Sequence, residues 1–178
     1  MTKNPQKRGT KMIVSSLKSS PYFQEYYPKI KAFQSLYFKE EKMPKKPKRA
    51  KTYGAILRIR VSGKEKYALV QGRHTGKWSF PKGHSDEGEE PMECTLREVA
   101  EETGIDELPE PVKYIQVGYG KYFIFHLTKY VPLIPRDTIE IMDTKWVTLD
   151  EMEKMSLNAD ARQFRKQLRD QLTEQNAN

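Results

Sequence analysis

The sequence predicts an α/β domain with a mixed sheet, preceded by a basic extension at residues 1–51. Three observations carry that expectation. Short runs rich in β-branched and aromatic residues recur between Tyr53 and Tyr130, as strands do. One strongly acidic, amphipathic segment lies among them at residues 83–105. Charge is also divided unevenly. Residues 1–51 hold 14 Lys and Arg against Glu25, Glu40 and Glu41, whereas the other 127 residues hold 18 basic and 21 acidic side chains. The net charge of +8 therefore belongs to the extension, and the 178-residue chain leaves room for one core-bearing domain behind it.

Taken in order, residues 1–20 are dominated by Ser and Lys and predict no regular structure. Residues 21–42 carry Tyr22, Phe23, Tyr26, Tyr27, Ile30, Phe33, Leu36 and Tyr37, several of them three or four apart. They predict a short helix, started or interrupted near Pro28. Its aromatic stripe reads first as a packing face; stacking on nucleic-acid bases between the lysines is the second reading. Residues 43–51 form a Pro-broken basic linker, of which 44–51 also suits nuclear import. The domain occupies residues 52–178. YGAILRIRV, KYALVQG, VKYIQVGYG and KYFIFHLTKY predict strands, and residues 90–103 a helix with Pro91 in its first turn and Gly104 as its stop. A last helix is expected over 159–175, where Phe164, Leu168 and Leu172 repeat every fourth residue. Its Arg162, Arg165, Lys166 and Arg169 offer a basic surface, or the helix simply covers the sheet.

Some classes are set aside by composition. No apolar run approaches the ~18–20 residues of a membrane span. Met12–Val14 is too short for a secretory apolar core. Cys94 stands alone and makes no internal disulfide. The expected setting is cytoplasmic. An extension this basic points to a polyanionic partner, with RNA the first candidate and a solvated tail the plainer reading.

The acidic helix carries the chemistry. Glu98, Glu101 and Glu102 fall within a sector of about 100°. Met92, Leu96, Val99 and Ala100 lie opposite, so one face is expected to be buried and the other acidic. Each like-charged pair costs a helix about 0.2–0.5 kcal/mol, and a hard divalent cation relieves that repulsion. Glycines at 83 and 88 are expected to deliver the loop tightly into the helix, and Arg97 to orient a loop carboxylate such as Glu89.

The pattern Gly83, five residues, Glu89, seven residues, then Arg97-Glu98-Val99-Ala100-Glu101-Glu102-Thr103-Gly104-Ile105 resembles the Nudix box without a departure. With its flanks the resemblance covers about residues 52–150. It implies a Nudix α/β/α sandwich and Mg²⁺- or Mn²⁺-dependent hydrolysis of a nucleoside diphosphate linked to another group. By position, Glu101 and Glu102 would be the main metal ligands. Glu98 would be a further ligand or the base, and the Lys82 carbonyl another ligand. Arg97 and Glu89 would tie loop to helix, with Gly83 and Gly104 as structural positions. WSFPKG (78–83) resembles the run that opens the box in mRNA decapping enzymes. EIMDTKW (140–146) matches the spacing of a downstream segment of theirs, making Glu140 the counterpart of a carboxylate near the metals. PKGH followed by EGE is also similar to asymmetric diadenosine tetraphosphate hydrolases, with His84 against phosphate; diphosphoinositol polyphosphate hydrolases are a third relative. Lys77 and Lys82 would contact phosphates under any of these. The basic extension favours capped RNA as substrate. A non-catalytic RNA-binding Nudix module is the alternative from another class, and the intact glutamates speak against it.

Overall fold

A computed structural model describes residues 51–177. The helix expected at 21–42 and all but the last residue of the basic strip at 44–51 lie outside the described residues. Near-continuous apolar runs, buried on both faces, make β1 (Thr52–Val61) and β2 (Lys64–Gly72), joined through Ser62 and Gly63, both at positive φ. That pair of left-handed residues is the tight turn that matches strand twist. Two short strands follow, β3 (Trp78–Ser79) and β4 (Lys82–His84), and then α1 (Pro91–Thr103). The apolar stretch after α1 breaks at Gly118 into the hairpin of β5 (Lys113–Val117) and β6 (Gly120–Leu127). β7 (Ile141–Val147), α2 (Leu149–Glu153) and α3 (Ala159–Ala177) complete the order. The helix α2, not anticipated from the sequence, opens on a capping box at Thr148 and Glu151. The Glu151 amide donates to the Thr148 hydroxyl at 3.2 Å and the Glu151 carboxylate accepts from the Thr148 amide at 2.7 Å.

The strands form one mixed sheet in the order β3-β2-β1-β6-β5, with β4 pairing on β1 and β7 on β2. Only β1 and β6 run parallel among these pairs. Successive side chains point to opposite faces. One face carries Ile56, Tyr67, Leu69, Phe80 and Tyr122, packed with Met152 of α2 and Phe164 of α3. The Phe80 ring meets Tyr122 and Phe164 edge-on at 5.7 and 5.2 Å. The alternate residues Ala55, Leu57, Ile59 and Phe125 are buried toward α1. Helices thus cover both faces, as the α/β/α sandwich expectation required. Among the described residues no helix is long and apolar enough to cross a membrane.

Candidate active site

Loop 85–90 and α1 are built around Arg97. Gly88 turns the chain at φ 77°, and Glu93 reaches back to the Glu90 amide at 3.3 Å across the helix start. From inside α1, Arg97 holds Glu89 in a fork. Its Nε and Nη2 donate to the two carboxylate oxygens at 2.9 Å each, and Nη2 also donates to the His84 carbonyl at 3.0 Å. Its Nη1 donates to Glu98 at 2.5 Å and to Glu101 at 3.1 Å. One guanidinium therefore binds three carboxylates. The Lys82 amide donates to Glu102 Oε2 at 2.8 Å, tying the fourth carboxylate to β4.

Both faces of α1 are covered: Glu98 and Glu102 are only 9% and 8% exposed, while Leu96, on the face expected to be buried, is half-buried. The reason is β4, which pairs with β1 and lies over the glutamates. Gly83 is where the two come closest: a Cβ there would run into the Glu98 carboxylate. Gly83 thus supplies space, and the turn belongs to Gly88. Burial sets the electrostatics. It pushes Glu98 up to about 7 against the pull of Arg97. It pushes Glu102 up to about 8, with the charges of Glu98 and Glu140 adding to the rise. Glu101 also lies above the usual carboxylate range through burial and, secondarily, Asp137.

A distant segment completes the site. Ile134 donates to the Thr103 carbonyl, and the Arg136 and Asp137 amides to that of Glu101, at 2.8–2.9 Å, filling free carbonyls at the end of α1. Gly104 stops the helix in the left-handed region at φ 77° and lies against the Ile134 carbonyl. The Asp137 carboxylate then accepts from the Ile139 and Glu140 amides at 2.9 Å, forming a turn that carries Glu140. Arg73 braces the same turn, its amide donating to the Glu140 carbonyl at 2.7 Å and its guanidinium to the Thr138 carbonyl at 2.9 Å. Asp137 and Arg73 were not singled out by the sequence reading. The available signal was an Asp three residues before Glu140, a common turn former.

The fold brings Arg97, Glu89, Glu98, Glu101, Glu102, Gly83 and Lys82 together and sets Glu140 close enough to act on Glu102. It draws Lys82 in through its amide; the carbonyl named as a ligand shows no such contact. Lys77 and His84 are exposed, and no described contact joins their side chains to the carboxylates. Arg169 of α3 is taken up by Asp150 and Glu153 at 2.7 and 2.8 Å, which reduces the basic surface expected there.

Residues 48–169 match the model of the NUDIX domain family. The chain belongs to the Nudix family. This Nudix chain is 32% identical over 99 residues to mRNA-decapping enzyme subunit 2 of Arabidopsis thaliana, covering 52% of the chain and 26% of that protein. It is 48% identical over 91 residues to an RNA pyrophosphohydrolase of Bartonella quintana, covering 51% of the chain and 50% of the relative. The chain thus spans half or less of the length of these relatives. A solved structure of the Caenorhabditis elegans Ap4A hydrolase in a binary complex aligns with a TM-score of 0.53 at 23% identity, covering 67% of this chain and 98% of that one. That likeness concerns the fold.

A divalent cation is implied by the family, and the donor set suits one. The carboxylate oxygens of Glu98, Glu101 and Glu102 are hard donors, and with Glu89 they outnumber the single charge of Arg97. Burial raises the affinities of Glu98 and Glu102 for protons despite Arg97 and the Lys82 amide, and a cation at these oxygens would favour their ionised forms. As the side chains stand, no group of three or more such ligands converges among the described residues. The glutamates are held instead by Arg97 and the Lys82 amide.

Proposed function

We propose that this chain is a metal-dependent pyrophosphohydrolase that cleaves a nucleoside diphosphate linkage, with the 5′ cap of RNA as its substrate. The observation that carries the hydrolytic reading is the partly desolvated set of Glu98, Glu101 and Glu102 beside Glu140, bearing more negative charge than Arg97 neutralises. A bound Mg²⁺ or Mn²⁺ would supply charge neutralisation at phosphate and a lowered pKa for water. Glu98, Glu101 and Glu102 would hold it, together with the Lys82 carbonyl. Arg97 and Glu89 keep loop and helix in register, and Lys77, Lys82 and His84 would serve as phosphate contacts. Water attacks phosphorus, the bridging P–O bond breaks, and its electrons leave with the nucleoside diphosphate while the phosphate stays on the RNA. The water proton passes to a carboxylate, Glu98 or Glu140. Capped RNA is preferred over diadenosine or diphosphoinositol polyphosphates because of the basic residues 1–51 and the similarity to a decapping subunit. A cytoplasmic setting fits such a substrate, with residues 44–51 as a candidate import signal.

The test is a panel of cap-labelled RNA, free cap dinucleotide, diadenosine tetraphosphate and diphosphoinositol phosphates with Mg²⁺ or Mn²⁺. Glu101→Gln/Glu102→Gln should lower cleavage of the preferred substrate by at least about 100-fold. Inertness of the wild type on every member of the panel would refute hydrolysis. Removing residues 1–50 should weaken cleavage of capped RNA selectively and flatten its salt dependence, whereas small diphosphates should be cut as before. An unchanged salt slope would refute the RNA role of the extension.

A further inference from the structure

A groove of about 710 Å³ opens between the sheet and the second half of α3. It is separate from the carboxylates. It lies on the α3 face of the sheet, and along β1 its Arg58 sits about 13 Å beyond Gly54, where β4 pairs. Its volume is that of a small-molecule site. The floor is apolar and built mostly on strands: Ile56, Ile115 and Ile124, with Phe164 and Leu168 at the helix side. The amides of Gln167 and Gln171 and the exposed Asp170 carboxylate belong to the α3 wall, and Lys113 is exposed at the rim.

One polar atom in the lining has no partner. His126 Nε2 is buried without a hydrogen bond. Its proton can be placed from the other side of the ring. Arg58 Nη2 lies 3.0 Å from His126 Nδ1, and a guanidinium only donates. Nδ1 is therefore the acceptor, and the neutral ring carries its proton on Nε2. Burial and the Arg58 charge hold the ring below its usual pKa, in keeping with that neutral form. Arg58 is itself neutralised by Glu65 at 2.8 Å, so it offers no free charge to an anion. A buried N–H donor left unpaired is costly, and a ligand bearing an acceptor would recover that cost.

We propose that this groove is a second binding site, for a nucleobase. A heteroaromatic ring fits a flat apolar floor, a neutral N–H donor and amides that both donate and accept. The Lys113 ammonium at the rim suits the attached phosphate. The base can come from a free nucleotide or from a nucleotide within an RNA chain, and the two are separable.

The test is equilibrium binding to the full chain, without divalent cation, of AMP, of GMP, and of a short single-stranded RNA lacking a 5′ phosphate. His126→Phe removes the donor and keeps the bulk, while Ile115→Trp fills the floor, so the site can be tested even if one variant is poorly folded. Each folded variant, checked by thermal melting, should weaken binding at least tenfold, and Glu101→Gln/Glu102→Gln should leave it within twofold. Tighter binding of the oligonucleotide assigns the base to RNA, and tighter binding of AMP or GMP assigns it to free nucleotide. No binding by any probe, wild-type binding by both groove variants, or loss of binding on changing the glutamates would each overturn the proposal.

Discussion

Gly83 shows how one absent side chain sets the site. Its φ does not lie in the left-handed region, so the demand for glycine comes from the Glu98 carboxylate packed where a Cβ would be. The obstructing atoms are the far end of a flexible side chain. Gly83→Ala should therefore displace Glu98 with little damage to the fold. Its melting temperature should stay within a few degrees of wild type, while turnover on the preferred diphosphate falls by at least about tenfold. Unaltered turnover would show that the position of Glu98 is not critical. Arg97 is the converse case, a side chain legible in sequence as a partner for Glu89 whose further bonds to Glu98 and Glu101 only the structure reveals.

At the scale of elements, α1 depends on a segment distant in sequence. Its last carbonyls are paired with the amides of Ile134, Arg136 and Asp137, and the same segment turns to present Glu140. Pairing of β2 with β7, with Gly72 opposite Ile141, holds that turn beside Arg73. Asp137 therefore acts through backbone amides to position Glu140. Asp137→Ala should lower kcat about tenfold with little change in KM, whereas Asp137→Asn keeps an acceptor oxygen and should retain most activity. Equal kinetics for Ala and Asn would show that the turn does not position Glu140. The boundaries of α1 were legible because Pro91 and Gly104 act locally. The capping segment was not, because nothing local in its sequence says which helix it meets.

For the molecule as a whole, the buried glutamates make folding stability depend on pH. Glu98 and Glu102 bind protons more tightly in the folded state, at about 7 and about 8, than a carboxylate in an unfolded chain, near 4.3. With folded pKa values raised, their contribution is fully present below about pH 4.3 and is lost as pH rises through about 7 to 8. Metal-free protein should lose on the order of a few kcal/mol of stability between about pH 5 and about pH 8.5. Thermal melts in a chelator should follow that decline. Glu102→Gln should flatten it, and added Mg²⁺ should raise the melting temperature most at the alkaline end. A melting temperature independent of pH across this range would contradict the burial of these charges.

The sequence by itself determined which groups are available. The spacing of Glu98, Glu101 and Glu102, the Arg97–Glu89 interval, the ends of α1 and the alternation of the strands all follow from local periodicity and backbone chemistry. Tertiary structure alone decided what surrounds them. Helical periodicity orders side chains around an axis, but it does not say which faces are covered. Pairing of β4 with β1 covered the acidic face of α1, a loop from beyond β6 brought Glu140 to bear on Glu102, and the seating of α3 on the sheet left a groove lined by His126. Each of these is a contact between segments distant in the chain, where the free energy of burial rather than local propensity sets the outcome.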